Sequence, residues 1–174
     1  MRAAAAAFAV LASAAPAAAA SDARDVPLVD QNGARFTLRA LHRPVAVIFV
    51  ATRCGDACPL AEGLFAKLAG ELAAAHVDAG LLTVTLDPRF DRPFVMAWKA
   101  HALRADAMRW RWASGEPADV ERLLDAFNVP RLDGRFHGAF AYVLDAHGVP
   151  ARVVLLSTAA DRELLAILRS IPRV

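Results

Sequence analysis

The sequence predicts an α/β sandwich, a mixed sheet covered by helices on both faces with a small hairpin at its amino-terminal side. Three observations predict it. Two short runs, PVAVIFVAT at residues 44–52 and LLTVTL at residues 81–86, are too continuously apolar for strands with one wet face. Helical spacing follows each of them, which is the order of crossover units joining parallel strands. A late pair of strands around Asp145-Ala-His-Gly148 reads as a hairpin, adding an antiparallel edge.

The elements follow in order. Residues 26–29 and 34–38 flank Asp30-Gln-Asn-Gly33, where Asn-Gly suggests a tight primed turn. The buried strand at 44–52 is followed by a helix over 59–76, with Leu60, Leu64, Leu68 and Leu72 four apart and Phe65 beside them. The strand at 81–86 ends at Asp87-Pro88, and a helix over about 93–103 comes next. Residues 108–113 alternate as a strand. Pro117, suited to a first helical turn, opens a helix over 118–127. Strands at 138–144 and 149–156 form the hairpin, and Thr158-Ala-Ala-Asp161 resembles a capping box for a helix reaching about residue 171.

Composition narrows the function. Of 174 residues, 57% are hydrophobic and 22% charged, with 20 Lys+Arg against 18 Asp+Glu. A net charge of +2 gives no basic field for nucleic acid. Residues 3–20 carry no charge and are almost all alanine, after Met1-Arg2 and before an Ala18-Ala19-Ala20 cleavage pattern. Residues 1–20 are therefore expected to be a signal peptide, with retention as a membrane anchor the alternative, and residues 21–174 a single domain. Alanine is weakly hydrophobic and Pro16 interrupts the run, which favours cleavage. An exported protein works where thiols oxidise unless they are kept reduced.

The only two cysteines are Cys54 and Cys58, in Thr52-Arg-Cys-Gly-Asp-Ala-Cys-Pro59. They leave the carboxyl end of a buried strand and enter the amino end of a helix, where α/β sheets place ligands. Unpaired N–H groups and the helix dipole there favour thiolate. A passive staple is the alternative, yet it would close a loop of only three residues, the least rewarding kind to tie. Asp87-Pro-Arg-Phe-Asp-Arg-Pro93 lies past the next buried strand and makes Asp87 a candidate neighbour of the site, although a solvated turn held by ion pairs would read the same way. His137, in Asp133-Gly-Arg-Phe-His-Gly-Ala-Phe140, sits at a strand start after a glycine-containing loop. His42, His76, His101 and His147 fall in turns or on helices, where a solvated histidine is the default.

These segments together resemble the Sco/SenC family of thioredoxin-like copper proteins. The resemblance extends from Val26 to Ile171. It rests on Arg43 to Val50 as central strand, on the T-x-C-x-x-x-C-P motif at 52–59, and on Asp87-Pro88 with Asp91 and Pro93. Ser114-Gly115 stands at the family's short turn, and His137 to Gly148 at its histidine, strand and turn. It implies a thioredoxin-like fold and a copper site of Cys54, Cys58 and His137, with Cys54 and Cys58 also a redox pair and Asp87 beside them. Soft thiolates suit Cu(I), and added imidazole accommodates Cu(II). Zinc competes, but a closed structural zinc site takes four protein ligands.

The implied role is delivery of copper to the dinuclear site of cytochrome c oxidase, or reduction of the cysteines there. The partners would be the oxidase subunit bearing that site and a periplasmic thiol reductant, and a membrane only where the leader is retained. The rival is a copper-independent periplasmic thiol–disulfide oxidoreductase; a metallochaperone is expected rather than an enzyme. A peroxidase of the peroxiredoxin type is disfavoured, since Ala51 and Val47 stand where its Thr/Ser and Pro would be. A binding module using the fold only as scaffold is the remaining alternative. Phe136 and Gly138 flank His137 where the family has an acidic residue and Ser or Thr, removing a group that would orient the imidazole.

Overall fold

The structure is a computed structural model and describes residues 22–55, 58–132, 135–136 and 140–172. Burial of β-branched and aromatic residues organises it. β1 (Leu28–Asp30), β2 (Arg35–Phe36), β3 (Val45–Val50), β4 (Gly80–Thr85), β5 (Trp110–Ser114), β8 (Phe140–Leu144) and β9 (Pro150–Leu155) form one sheet. Its order is β2-β1-β5-β4-β3-β8-β9. β3 pairs parallel with β4, and β4 with β5, as crossover helices require; β1–β2, β1–β5, β3–β8 and β8–β9 are antiparallel. The sheet is mixed, as the sequence predicts.

Every residue of β3 is buried, and the two-residue period divides them between two cores. Ala46, Ile48 and Val50 face α1 (Cys58–Ala74), α2 (Pro93–Ala102) and α4 (Ala160–Ser170). Val45, Val47 and Phe49 face α3 (Pro117–Ala126). There Phe49, Phe127 and Tyr142 meet edge to face, with centroids 5.3–5.5 Å apart. On the α1 side Trp110 packs on Phe65 and donates its indole N–H to Thr83 Oγ1 at 2.9 Å.

Four local expectations are revised. The first turn is not of the primed type, because Gly33 has a positive φ of 81° and Asn32 does not. Gly33 N–H donates to the Asp30 carbonyl, and Asp30 Oδ1 accepts from the N–H groups of Asn32 and Ala34. This is a type I turn closed by a left-handed glycine. Thr158 does not cap α4: the cap position is Ala159, without a side-chain hydrogen bond. Leu60 is 47% exposed, because the buried stripe of α1 runs through Cys58, Ala61, Phe65, Leu68 and Leu72 instead. Residues 131–136, given no element from sequence, contain a two-stranded ribbon of β6 (Arg131–Leu132) and β7 (Arg135–Phe136).

The hairpin turn between β8 and β9 is bound to the body of the protein. Gly148 has φ 76°, and a Cβ there would lie 2.8 Å from the Leu38 carbonyl oxygen. Gly148→Ala is therefore expected to destabilise the fold by at least about 1 kcal/mol, measured as a lower urea midpoint. An unchanged midpoint would refute this packing.

Candidate functional site

The site begins where β3 leaves the sheet. The last rung is Leu86 N–H to the Val50 carbonyl at 2.9 Å; the chain then turns, with Cys54 N–H donating to the Ala51 carbonyl at 3.0 Å. Cys58 is the first residue of α1, and Pro59 follows where no donor is needed. Cys54 and Cys58 are joined by a disulfide, with Cα atoms 5.8 Å apart, well within reach of such a bond. Their environments differ. Cys58 is 3% exposed and belongs to the core, whereas Cys54 is half-buried and packs on the core from outside.

The loop before Cys54 is held by the segment after β4. Thr52 donates its N–H to Asp91 Oδ2 at 3.1 Å and its hydroxyl to Asp91 Oδ1. Asp91 is fully buried, and its own N–H donates to the Asp87 carbonyl at 2.8 Å. Arg53 pairs with Asp87 Oδ2 at 2.5 Å, and its guanidinium lies 3.8 Å from the centre of the Phe90 ring. Asp87, the neighbour proposed from sequence, thus sits one side chain away from Cys54. Asp91 belongs to the sequence segment that carries the family resemblance but has no function there, and Phe90 has none either; their place past a buried strand, which singles out Asp87, is the signal for both.

A second carboxylate lies under the cysteines. Glu62 follows Cys58 by four residues, so both occupy one face of α1, and it is 3% exposed. Lys99 Nζ on α2 meets Glu62 Oε2 at 2.9 Å, while Oε1 is buried without a hydrogen-bond partner among the described residues. Nothing local in the sequence separates it from Glu71 on the same helix, so its burial is not legible there. Burial raises the Glu62 carboxyl above its ordinary range, opposed by Lys99. Burial also raises Asp91, with the charge of Asp87 adding to it and the Thr52 hydrogen bonds opposing.

His137, the third ligand implied by the resemblance, lies outside the described residues. The other four histidines are exposed, as read from sequence. Among the described residues no three His, Cys, Asp or Glu side chains gather closely enough to hold a metal ion. Nor, among them, is any helix long and apolar enough to cross a membrane.

A mixed sheet with a redox-capable cysteine pair at a strand–helix junction defines a thioredoxin-like protein. The family is narrower. The SCO1/SenC profile matches residues 4–171, so the chain belongs to the SCO1/SenC family. Its fold is similar to that of a SCO1/SenC family lipoprotein from Bacillus anthracis, with TM-score 0.75, 19% identity, and 83% of this chain covering 91% of that one. It is similar also to copper-bound ScoI of Bradyrhizobium japonicum, with TM-score 0.69, 23% identity and coverage of 84% and 97%. A third similar structure is BsSco, a Sco-family cytochrome c oxidase assembly protein with a disulfide switch: TM-score 0.72, 19% identity, coverage of 83% and 89%. No curated protein matches the sequence.

Two outcomes follow. Asp91→Ala leaves the Thr52 N–H and hydroxyl without their acceptor, and is expected to cost about 2 kcal/mol in urea denaturation at neutral pH; a loss near zero would show that the contact is idle. For Glu62 the native carboxyl keeps its proton to higher pH than the unfolded one. Its contribution to stability is complete below its ordinary value of 4.5 and falls as pH rises through the raised native value. The stability of Glu62→Gln relative to wild type should therefore increase as pH is raised past 4.5. A pH-independent difference would contradict this.

Proposed function

We propose that the protein binds copper through Cys54, Cys58 and His137, and passes it to the dinuclear copper site of cytochrome c oxidase or reduces the cysteines there. The observation that carries this is the Cys54–Cys58 pair, joined by a disulfide at the amino terminus of α1 and therefore reversibly reducible. Family membership and the likeness to copper-bound Sco structures support copper as the cargo. The alanine-rich amino terminus supports work in the periplasm, with residues 1–20 as leader and one domain after it.

The donor set fits the ion. Two thiolates match soft Cu(I), and an imidazole lets the same residues tolerate Cu(II). In the disulfide form neither sulfur carries the charge of a thiolate, so two electrons must enter before copper can be held. A thiolate of the reductant attacks Cys54, the more accessible sulfur, and forms a mixed disulfide while Cys58 departs as thiolate. That charge develops at the positive end of a 17-residue helix, which stabilises it. A second thiolate of the reductant then attacks its own mixed-disulfide sulfur and releases Cys54. The reductant leaves oxidised, and the protein holds both electrons as two thiolates. Arg53 and Thr52, fixed from the β4–α2 segment, keep the Cys54 loop in place during these exchanges.

The alternative is a thiol–disulfide oxidoreductase that works without copper. It draws support from the disulfide itself and from Phe136 and Gly138, which supply no acidic neighbour to His137. His137→Ala separates the two. Reduced wild type titrated with Cu(II) should develop a thiolate-to-copper charge-transfer band at one equivalent. The variant should lose that band while its disulfide exchange rate stays within about twofold of wild type. Unchanged copper retention in the variant would remove His137 from the ligand set.

A further inference from the structure

A cavity of about 630 Å³ opens between the β1–β2 hairpin, the β4–α2 segment and the β5–α3 turn. One wall is Pro88, Arg89, Asp91, Arg92 and Pro93. The same stretch of chain holds the cysteine loop, through Asp91 to Thr52 and through neighbouring Asp87 to Arg53. The cavity wall and the cysteine loop therefore share one residue, Asp91.

Its charge is unbalanced. Arg35, Arg89 and Arg92 border it, all exposed, and none of their guanidinium groups has a hydrogen-bond or ion-pair partner among the described residues. Three acids also line the cavity, but two are occupied: Asp91 by Thr52, and Asp119 by Arg122. Among the described residues Glu116 is the one lining acid whose side chain has no partner, against three lining arginines. The intervening surface is apolar and stiff, formed by Pro27, Pro88, Pro93 and Pro117 over the buried side chains of Leu28 and Met96. Beside the wall, Phe90 is 41% and Phe94 83% exposed, extending the apolar surface outward. Unpaired cations around a rigid apolar trough complement an extended chain bearing carboxylates.

We infer that this trough docks an extended acidic segment of the protein that exchanges copper or electrons with Cys54 and Cys58. The inference rests on the proposed exchange role and adds to it the chemistry of the partner. Carboxylates seated on Arg35, Arg89 and Arg92 anchor that partner against the β4–α2 segment, and the partner's own copper or thiol site is thereby held beside Cys54. A basic or neutral surface gains no such anchor, so the trough selects among partners as well as binding them.

The test uses the whole metal-free protein in its disulfide form and a fluorescein-labelled peptide of alternating Asp and Pro. Anisotropy at low salt should show it binding about tenfold or more tightly than the Asn–Pro peptide of equal length, with the advantage shrinking as salt is added. Arg89→Gln/Arg92→Gln should weaken the acidic peptide about tenfold, and Arg35→Gln should weaken it further. Arg152→Gln, an exposed change on the distant edge strand β9, should leave binding unaltered. Equal binding of the two peptides, or equal weakening by Arg152→Gln, would overturn the inference. So would binding confined to phosphatidylglycerol vesicles, or a dimer in sedimentation that Arg89→Gln/Arg92→Gln dissolves. No thiol or copper takes part in the measurement, and copper uptake by the same reduced sample reports separately on the exchange role.

Discussion

A buried carboxylate accepting two hydrogen bonds from one threonine is the constraint on which the site depends. Where β3 ends, the backbone must leave the sheet, place a sulfur near the surface, and enter α1 with the second sulfur in the core. Sheet hydrogen bonds stop at Val50, so the N–H of Thr52 has no strand partner. Asp91 supplies one, and takes the hydroxyl as well. A bidentate contact from a buried carboxylate to a half-buried loop tolerates little displacement, since each lost partner exposes the desolvation cost of the other. The cysteine loop is in this way fixed to the adjacent crossover rather than to its own strand.

The surroundings are tuned for sulfur that changes charge. The dipole of α1 favours a thiolate at Cys58, while burial of that sulfur works against it. Glu62 lies on the same helical face, half satisfied by Lys99, and Asp91 lies behind Thr52. Both carboxyls are raised by desolvation, so each binds a proton more readily in the native than in the unfolded state. Arg53, held over Phe90 by Asp87, adds a positive group on the outer side. Stability and reactivity here draw on the same few groups.

Much of this was legible because burial leaves a periodic trace. The runs at 44–52 and 81–86 are apolar on both faces, and β3 and β4 are buried throughout. The cysteine motif could be placed at a strand–helix junction because the strand before it and the leucine spacing after it are both strong. What was hidden depends on partners distant in sequence. Asp91 matches a family segment, but its partner is invisible until Thr52, 39 residues away, is brought to it. Glu62 looks solvated until Lys99 closes over it. Leu60 fits the helical spacing but lies off the buried stripe, because the core begins at Cys58 and Ala61. Thr158 has the right neighbours for a cap, yet α4 starts after Ala159. Such features are fixed by register and tertiary contact, to which local pattern is blind.

The central claim is that both sulfurs of the strand–helix junction bind one copper ion together with an imidazole. X-ray absorption at the copper edge, on reduced full-length protein loaded with one equivalent of Cu(I), addresses it directly. Two sulfur atoms and one imidazole nitrogen should be bonded to the metal, with Cys58→Ser leaving a single sulfur. Copper bonded only to nitrogen and oxygen, or a sulfur count unaltered by that substitution, would contradict it.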